Sequence, residues 1–248
     1  MDSIQLLIDN EDRAAMSGAV YERRDPVTGE IASVCAAAAA DDARAAADAA
    51  AAAFAQWSAT GPNERRRLLL KAADIMDSKA SEFIRLMTAE TGATAPWGGF
   101  NTMLAANILR EAASMTTQIT GEIIPSDKPG TLAMGVRQAA GVCVGIAPWN
   151  APVILGTRAL AMLLACGNTV SLKASEMCPG THRLIGEVLR EAGLPKGVVN
   201  IVTNAPADAS AVVEALIAHR AVKRINFTGS SRVGKIIAKL ADEHLKPV

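Results

Sequence analysis

The spacing of apolar residues changes near Gly141. Beyond it, short runs of apolar and often β-branched residues alternate four times with longer segments whose apolar residues recur every three or four positions. The short runs predict strands at 142–147, 169–173, 198–202 and 224–227. The longer segments predict helices at 152–165, 180–192, about 208–219 and 231–242. Four strand–helix repeats with short connections predict an α/β fold built on a doubly wound parallel sheet.

The first 140 residues follow a different pattern. Strand-like segments at 5–8 and 19–23 precede a Pro/Gly turn at 25–30. Helical periodicity then predicts four helices, which begin at Asp41 or Asp42, at Asn63-Glu64, at residue 80 and at residue 100. A break around Trp97 precedes the fourth helix, which is expected to end at residue 118. Short strands at 121–139 predict a hairpin, which we expect to lie against another subunit because an isolated hairpin is marginally stable. The predicted parts are 1–118, 119–140 and 141–248.

Composition excludes several functional classes. Of the 248 residues, 25 are Lys or Arg and 25 are Asp or Glu, so no charge surplus points to a nucleic-acid or membrane-surface partner. No uninterrupted apolar run reaches the length of a membrane span, and acids stand where a signal peptide needs a basic start. The four cysteines have no metal-ligand spacing. They predict buried structural thiols in a reducing cytoplasm and no metal site.

Polar residues follow three of the predicted strands at the point where each strand ends. They are Pro148-Trp149-Asn150, Lys173–Glu176 and Thr228–Gly234. Ligands of open α/β sheets bind outside the carboxyl ends of the strands. We therefore expect these three segments to meet at one edge of the sheet and to form the binding site.

Each segment allows more than one interpretation. Residues 229–235 match the first part of a P-loop, but Ile236 stands where a P-loop needs a magnesium-binding Ser or Thr. The alternatives are a plain helix cap and a phosphate contact without magnesium. We favour the phosphate contact. Glu176 can accept hydrogen bonds from a ribose, or can form a solvated ion pair with Lys173. The amide of Asn150 can donate to a developing oxyanion, or Asn150 can be a turn-former before Ala-Pro.

Taken in chain order, these motifs resemble the NAD(P)-dependent aldehyde dehydrogenase superfamily, and in particular the bacterial dehydrogenases of aromatic aldehydes of the salicylaldehyde and vanillin type. The resemblance runs from about Asp25 to the end of the chain. It rests on Ala53-Phe54-Trp57, Glu64-Arg65-Arg66, Glu90-Thr91-Gly92, Ala147-Pro148-Trp149-Asn150-Pro152, Gly167-Asn168-Thr169-Val170, Leu172-Lys173-Ser175-Glu176, Ala192-Gly193-Leu194-Pro195-Gly197-Val198 and Phe227-Thr228-Gly229-Ser230-Val233-Gly234.

The resemblance implies a Rossmann-like sheet with an N-terminal helical region and a protruding oligomerisation hairpin. It implies oxidation of an aldehyde to the acid, with Asn150 holding the oxyanion formed when a cysteine thiolate attacks. It implies NAD as the cofactor, with NADP as the alternative, and a parent protein that is a homodimer or homotetramer. The implied cofactor-binding residues are Ile146, Ala147, Pro148, Trp149, Lys173, Ser175, Glu176, Phe227, Thr228, Gly229, Ser230 and Val233. An aromatic substrate is expected beside Trp97, Ile154 and Arg158, although Trp97 also suits helix packing and Arg158 a solvent contact.

The sequence departs from the family pattern at three places. Ala174 stands where proline is usual, which we expect to loosen that turn, and Asn204 stands where glycine is common near the adenine. The run Leu-Glu-Leu-Gly-Gly with the general base, and the later nucleophilic cysteine, are expected beyond Val248. We therefore expect this chain to be a truncated dehydrogenase that oxidises no aldehyde itself; the alternative is a complete, non-catalytic dinucleotide-binding module.

Overall fold

The computed structural model describes residues 2–248, which form an α/β fold with eleven strands and eight α-helices. In the N-terminal part, the elements are β1 (Asp2–Ile4), β2 (Leu6–Ile8), β3 (Glu11–Arg13), β4 (Val20–Arg24), β5 (Ile31–Ala36), α1 (Ala40–Ala59), α2 (Pro62–Ser78), α3 (Ala80–Thr91), α4 (Ala95–Met115), β6 (Glu122–Ile124) and β7 (Ala133–Gly135). They are followed by β8 (Val142–Ile146), α5 (Pro152–Ala165), β9 (Thr169–Lys173), α6 (Pro179–Ala192), β10 (Val199–Val202), a 3₁₀ turn (Pro206–Asp208), α7 (Ala209–Ala218), β11 (Val222–Phe227) and α8 (Ser231–Glu243).

The main sheet confirms the predicted strand–helix repeat. Its order is β11-β8-β9-β10-β2-β3, and the first four strands are parallel. The chain steps outward from β8 to β10 and then crosses back, so that β11 lies on the other side of β8. Ile146 is in register with both Lys173 and Phe227, and Lys173 with Val202. The four carboxyl ends are therefore level, at what we call the carboxyl edge.

The N-terminal strands complete this sheet in a way that the sequence did not predict. β2 pairs antiparallel with β10 through Leu7 and Ile201, and β3 pairs antiparallel with β2. The turn between β2 and β3 contains Asp9 and Asn10 with φ of 58° and 62°, a left-handed conformation that Asp and Asn tolerate better than other side chains. The sheet is therefore mixed, and β1, β5 and β4 form a separate small sheet.

The alanine-rich helix α1 lies on one face of the sheet because its small side chains allow a close approach. Ala46 and Ala50 are fully buried there. Two strand hydroxyls donate to its backbone: Thr169 Oγ1 to Ala50 O at 2.8 Å and Ser171 Oγ to Ala46 O at 3.2 Å. The larger core, with Trp57, Phe83 and the leucines of α5 and α6, lies on the opposite face.

Helix α4 begins five residues earlier than predicted, at Ala95. The Pro96-Trp97-Gly98-Gly99 stretch suggested a break, but proline fits the first turn of a helix. A Cβ at Gly98 would lie 3.1 Å from Ile84 Cα, so this glycine serves the close packing of α4 on α3. The glycine that looked like a helix breaker is a contact point.

The predicted hairpin is present as β6 and β7, which pair antiparallel through Ile123 and Met134. Most of its apolar side chains are exposed, and Ile123 is 77% exposed. None of the helices formed by residues 2–248 is long and apolar enough to cross a membrane.

Candidate active site

The segment after β8 supplies an apolar floor and two exposed side chains. Ile146 and Ala147 are buried, whereas Trp149 is 48% exposed and Asn150 is exposed as well. The chain turns at 149–151 because Pro152 begins α5. Thr228 N–H donates to Ile146 O at 3.0 Å, which fastens the end of β11 to the end of β8. The crevice where the strand order reverses lies between these two strands, and this is where doubly wound sheets bind ligands.

On the β11 side, the turn into α8 is shaped by an aromatic ring. A Cβ at Gly229 would lie 2.5 Å from Cζ of Phe227, so a larger residue there would force the ring to move. Ser230 Oγ accepts from Val233 N–H at 3.3 Å, so the interpretation as a helix cap is confirmed for this hydroxyl. The backbone N–H groups of the first turn still face outward, as they do at any helix start, and its side chains carry no acid.

On the β9 side, Lys173 and Glu176 form a close ion pair. Lys173 Nζ lies 2.7 Å from Glu176 Oε2, and their side chains are 8% and 29% exposed. Burial alone would raise the pKa of Glu176, but the charge and hydrogen bond of Lys173 outweigh it and hold the pKa below its usual value. The pair is therefore largely buried rather than solvated. Glu176 is an anion at neutral pH, held at the carboxyl edge.

Two of the departures from the family pattern, Ala174 and Asn204, lie within the described fold. Ala174 N–H donates to Val202 O at 2.9 Å, a bond that proline could not make and that ties this turn to the end of β10. Asn204 is fully buried and its Nδ2 donates to Ala205 O at 2.8 Å. Ser175 is buried too, and its hydroxyl accepts from Met177 N–H at 3.3 Å.

The predicted substrate residues differ in their exposure and in their contact with Asn150. Trp97 Nε1–H donates to Asn150 O at 3.2 Å, and its ring stacks on Phe100 with 5.5 Å between centroids. Ile154 is buried in the first turn of α5. Arg158 is exposed on α5, two turns beyond Asn150. The structure therefore brings Trp97 to Asn150, and leaves Arg158 on an open helix face.

A buried polar cluster under the carboxyl edge was not predicted. Glu90 Oε1 accepts from Gly180 N–H at 2.7 Å, and Oε2 accepts from the N–H and the hydroxyl of Thr181 at 2.9 and 2.7 Å. These bonds tie α3 to the start of α6, where the helix dipole favours an anion. Burial nevertheless raises the pKa of Glu90 to about 7. The sequence contained a signal, since Glu90 follows Phe83, Leu86 and Met87 on the apolar face of α3.

The four described thiols are poorly suited to attack an aldehyde at this edge. Cys178 lies near the edge but is fully buried, and burial raises its pKa well above the usual value. Burial also raises the pKa of Cys35 to about 12 and that of Cys143 to about 11. Cys166 is exposed, contrary to the expectation of buried thiols, but it ends α5, about 20 Å along the helix axis from Pro152.

The sequence model described as "Aldehyde dehydrogenase family" matches residues 13–248 of this chain. The chain belongs to the aldehyde dehydrogenase family. It is 60% identical over 247 residues to a vanillin dehydrogenase of Pseudomonas fluorescens, covering 100% of this chain and 51% of that protein. The crystal structure of a salicylaldehyde dehydrogenase from Pseudomonas putida G7 complexed with salicylaldehyde superposes with a TM-score of 0.98 at 48% identity, over 100% of this chain and 51% of that one.

A third similar aldehyde dehydrogenase is an NAD-dependent benzaldehyde dehydrogenase from Corynebacterium glutamicum, with a TM-score of 0.94 and 31% identity over 100% of this chain and 54% of that one. The chain spans about half the length of the relatives it matches. The predicted family and fold are confirmed, and the aromatic-aldehyde branch of the aldehyde dehydrogenases is the one it resembles. Membership of this family leaves no support for the interpretation of residues 229–235 as a P-loop.

Proposed function

We propose that the full-length protein to which this chain corresponds oxidises an aromatic aldehyde to its carboxylic acid with NAD. The chain supplies the cofactor cleft and Asn150, the donor to the oxyanion. The observation that carries this proposal is the level carboxyl edge, where Asn150 follows β8, Glu176 follows β9 and α8 begins after β11. The similar proteins that act on vanillin, salicylaldehyde and benzaldehyde support the substrate class.

The polar groups at this edge fit a dinucleotide. The carboxylate of Glu176 suits ribose hydroxyls, and its charge disfavours a 2′-phosphate, so we favour NAD over NADP. The backbone N–H groups at the start of α8, beside Gly229 and Ser230, suit the pyrophosphate. Trp149 and its neighbours 146–148 form an apolar wall, and Thr228 and Val233 complete the opposite side. A bound nicotinamide would supply the hydride acceptor.

In this proposal, Asn150 binds the oxygen of the aldehyde and stabilises the negative charge that develops on it. Trp97 holds the backbone of the same residue, because its indole N–H donates to Asn150 O. The ring of Trp97 is 41% exposed and offers a flat apolar surface to an aromatic substrate. In the same proposal, Ile154 lies beneath the substrate ring, and the exposed side chain of Arg158 would have to extend from α5 to meet an oxygen next to the aldehyde group.

Substitution Glu176→Gln tests the cofactor assignment. Loss of the charge should weaken NAD binding about tenfold and bring the NADP affinity closer to that of NAD, measured by calorimetric titration. Glu214→Gln, which removes an exposed carboxylate on α7, is the matched control. An unchanged ratio of NAD to NADP affinity in Glu176→Gln would contradict the assignment.

The second candidate is a non-catalytic dinucleotide-binding module, which the burial or remote position of the four described thiols favours. An aldehyde-oxidation assay on the full-length protein separates the two. Formation of acid with stoichiometric NADH supports the dehydrogenase, whereas NAD binding without turnover supports the module. Either protein could assemble through β6 and β7, and we propose a homodimer or homotetramer built on their exposed apolar side chains.

A further inference from the structure

His182 is buried in the first turns of α6 and connects two segments of the carboxyl edge. Ser175 N–H donates to His182 Nδ1 at 3.1 Å, and the other ring nitrogen, Nε2, lies 3.1 Å from Pro152 O. Ser175 belongs to the loop that carries Lys173 and Glu176. Pro152 follows Asn150 by two residues. One imidazole therefore touches the proposed ribose loop (residues 173–176) and Pro152, where the proposed oxyanion loop (residues 148–151) joins α5.

The two contacts require a single protonation state of the ring. Because Nδ1 accepts a hydrogen bond from a backbone N–H, the proton of the neutral ring must lie on Nε2, which then donates to the carbonyl of Pro152. Burial lowers the pKa of His182 to about 4, so the ring stays neutral at physiological pH. The imidazole is thus a donor toward one loop and an acceptor toward the other.

Packing leaves this ring little room to move. A Cβ at Gly156 of α5 would lie 3.0 Å from His182 Cδ2 and 2.7 Å from Ile185 Cδ1. The sulfur of Cys178 lies 3.8 Å from Nε2 on another side. His182 is fully buried between α5 and α6. We therefore expect that a displacement of the start of either helix would move the imidazole ring, and with it the loop to which the ring is hydrogen-bonded on the other side.

We propose that His182 is a positioning residue that sets the spacing between the ribose loop around Glu176 and the oxyanion loop around Asn150. It does so as a two-sided hydrogen-bond bridge, without touching cofactor or substrate. The inference rests on the proposed dehydrogenase function, and it adds a coupling between cofactor binding and the position of the oxyanion donor.

Two substitutions of His182 separate the two sides of the bridge. In His182→Asn, the amide oxygen lies near the Nδ1 position and can accept from Ser175, but the contact to Pro152 is lost. In His182→Gln, the amide nitrogen lies near the Nε2 position and can donate to Pro152, but the contact to Ser175 is lost. His244→Gln, at an exposed position after α8, is the control.

We expect opposite kinetic effects in the full-length protein. His182→Gln should weaken NAD binding about fivefold, the effect of one lost hydrogen bond, and leave kcat at saturating NAD within about twofold. His182→Asn should lower kcat about fivefold and leave the Kd for NAD within about twofold. Equal effects of both variants on Kd and on kcat would show a merely structural role and overturn the inference.

Two further results keep the test decisive. If the wild-type protein neither binds NAD nor oxidises an aldehyde, the proposed function fails; if it does both and the variants match wild type, only the positioning role fails. Should both variants fail to fold, ¹⁵N chemical shifts of the histidine rings in the wild-type chain decide. A proton on Nε2 of His182 that persists across neutral pH supports the bridge, and a proton on Nδ1 overturns it.

Discussion

Glu90 makes the stability of this protein depend on pH in a predictable direction. The carboxyl group is fully buried, and its pKa is raised from 4.5 to about 7 in the folded chain. A group whose pKa is higher in the folded than in the unfolded state stabilises the fold fully below the unfolded value. That contribution is lost as the pH rises through the folded value. The difference of the two pKa values corresponds to about 3 kcal/mol.

Glu90→Gln removes this titration and part of the hydrogen bonding. Four donors from Ser33, Gly180 and Thr181 point at the two carboxyl oxygens, and glutamine places an NH2 group, which cannot accept, at one of them. The variant should therefore be the less stable protein at pH 5. Between pH 5 and pH 8, the wild type should lose about 2 to 3 kcal/mol relative to the variant. The gap between the two proteins should therefore narrow or reverse.

The assay is urea unfolding of both proteins at intervals from pH 5 to pH 8, with the difference in free energy of unfolding plotted against pH. Taking the difference cancels the titration of the other carboxyl groups, several of which have lowered pKa values. Glu82→Gln, on the same helix but partly exposed, reports the effect of losing one carboxylate. A wild-type-minus-Glu90→Gln difference that stays constant over this range would refute the assignment of a buried, titrating carboxyl group.

Three further outcomes follow from the structure. Asn150→Ala in the full-length protein should lower kcat about a hundredfold or more and leave the calorimetric Kd for NAD unchanged; a kcat within about threefold of wild type would exclude the oxyanion role. Gly197→Ala, where φ is 76° and a Cβ would lie 2.5 Å from Ala49 O, should cost about 2 kcal/mol more than Gly18→Ala, where φ is 70° and the space is open. Equal losses in urea unfolding would mean that the backbone conformation alone matters. A thiol reagent should titrate Cys166 alone in the folded chain and four thiols in urea, and more than one reactive thiol before unfolding would contradict the burial of the others.

Local sequence patterns predicted the strands and helices of the parallel core closely, because residues that end helices and strands lie between them. The helix Pro152–Ala165 and the strand Thr169–Lys173 have the predicted bounds, since proline, glycine and polar residues mark their ends. The start of α4 was predicted wrongly because glycine can either interrupt a helix or allow two helices to pack closely. Only the fold shows that Gly98 lies against α3. A glycine at a helix contact has no local signature that distinguishes it from a break.

The sequence predicted the polar residues at the ends of the strands, but it did not predict the buried contacts that support them. Asn150 and Glu176 could be placed at one edge because parallel strands end together. The bridge through His182 and the anchor through Glu90 depend on which elements lie side by side, and periodicity within one segment carries no such information. The indole contact of Trp97 to Asn150 likewise joins residues 53 positions apart.

The pairing of β2 with β10 has a consequence for the order in which the chain folds during synthesis. Asp9 N–H donates to Asn200 Oδ1 at 3.0 Å, a contact that spans 191 residues. At the usual speed of a ribosome, roughly 10 to 40 seconds separate the emergence of these two segments. During that interval β2 can pair with β3, but its other edge lacks β10, and the apolar residues 6–8 remain available to chaperones. The sheet position of β2 is thus completed only after β10 has been synthesised.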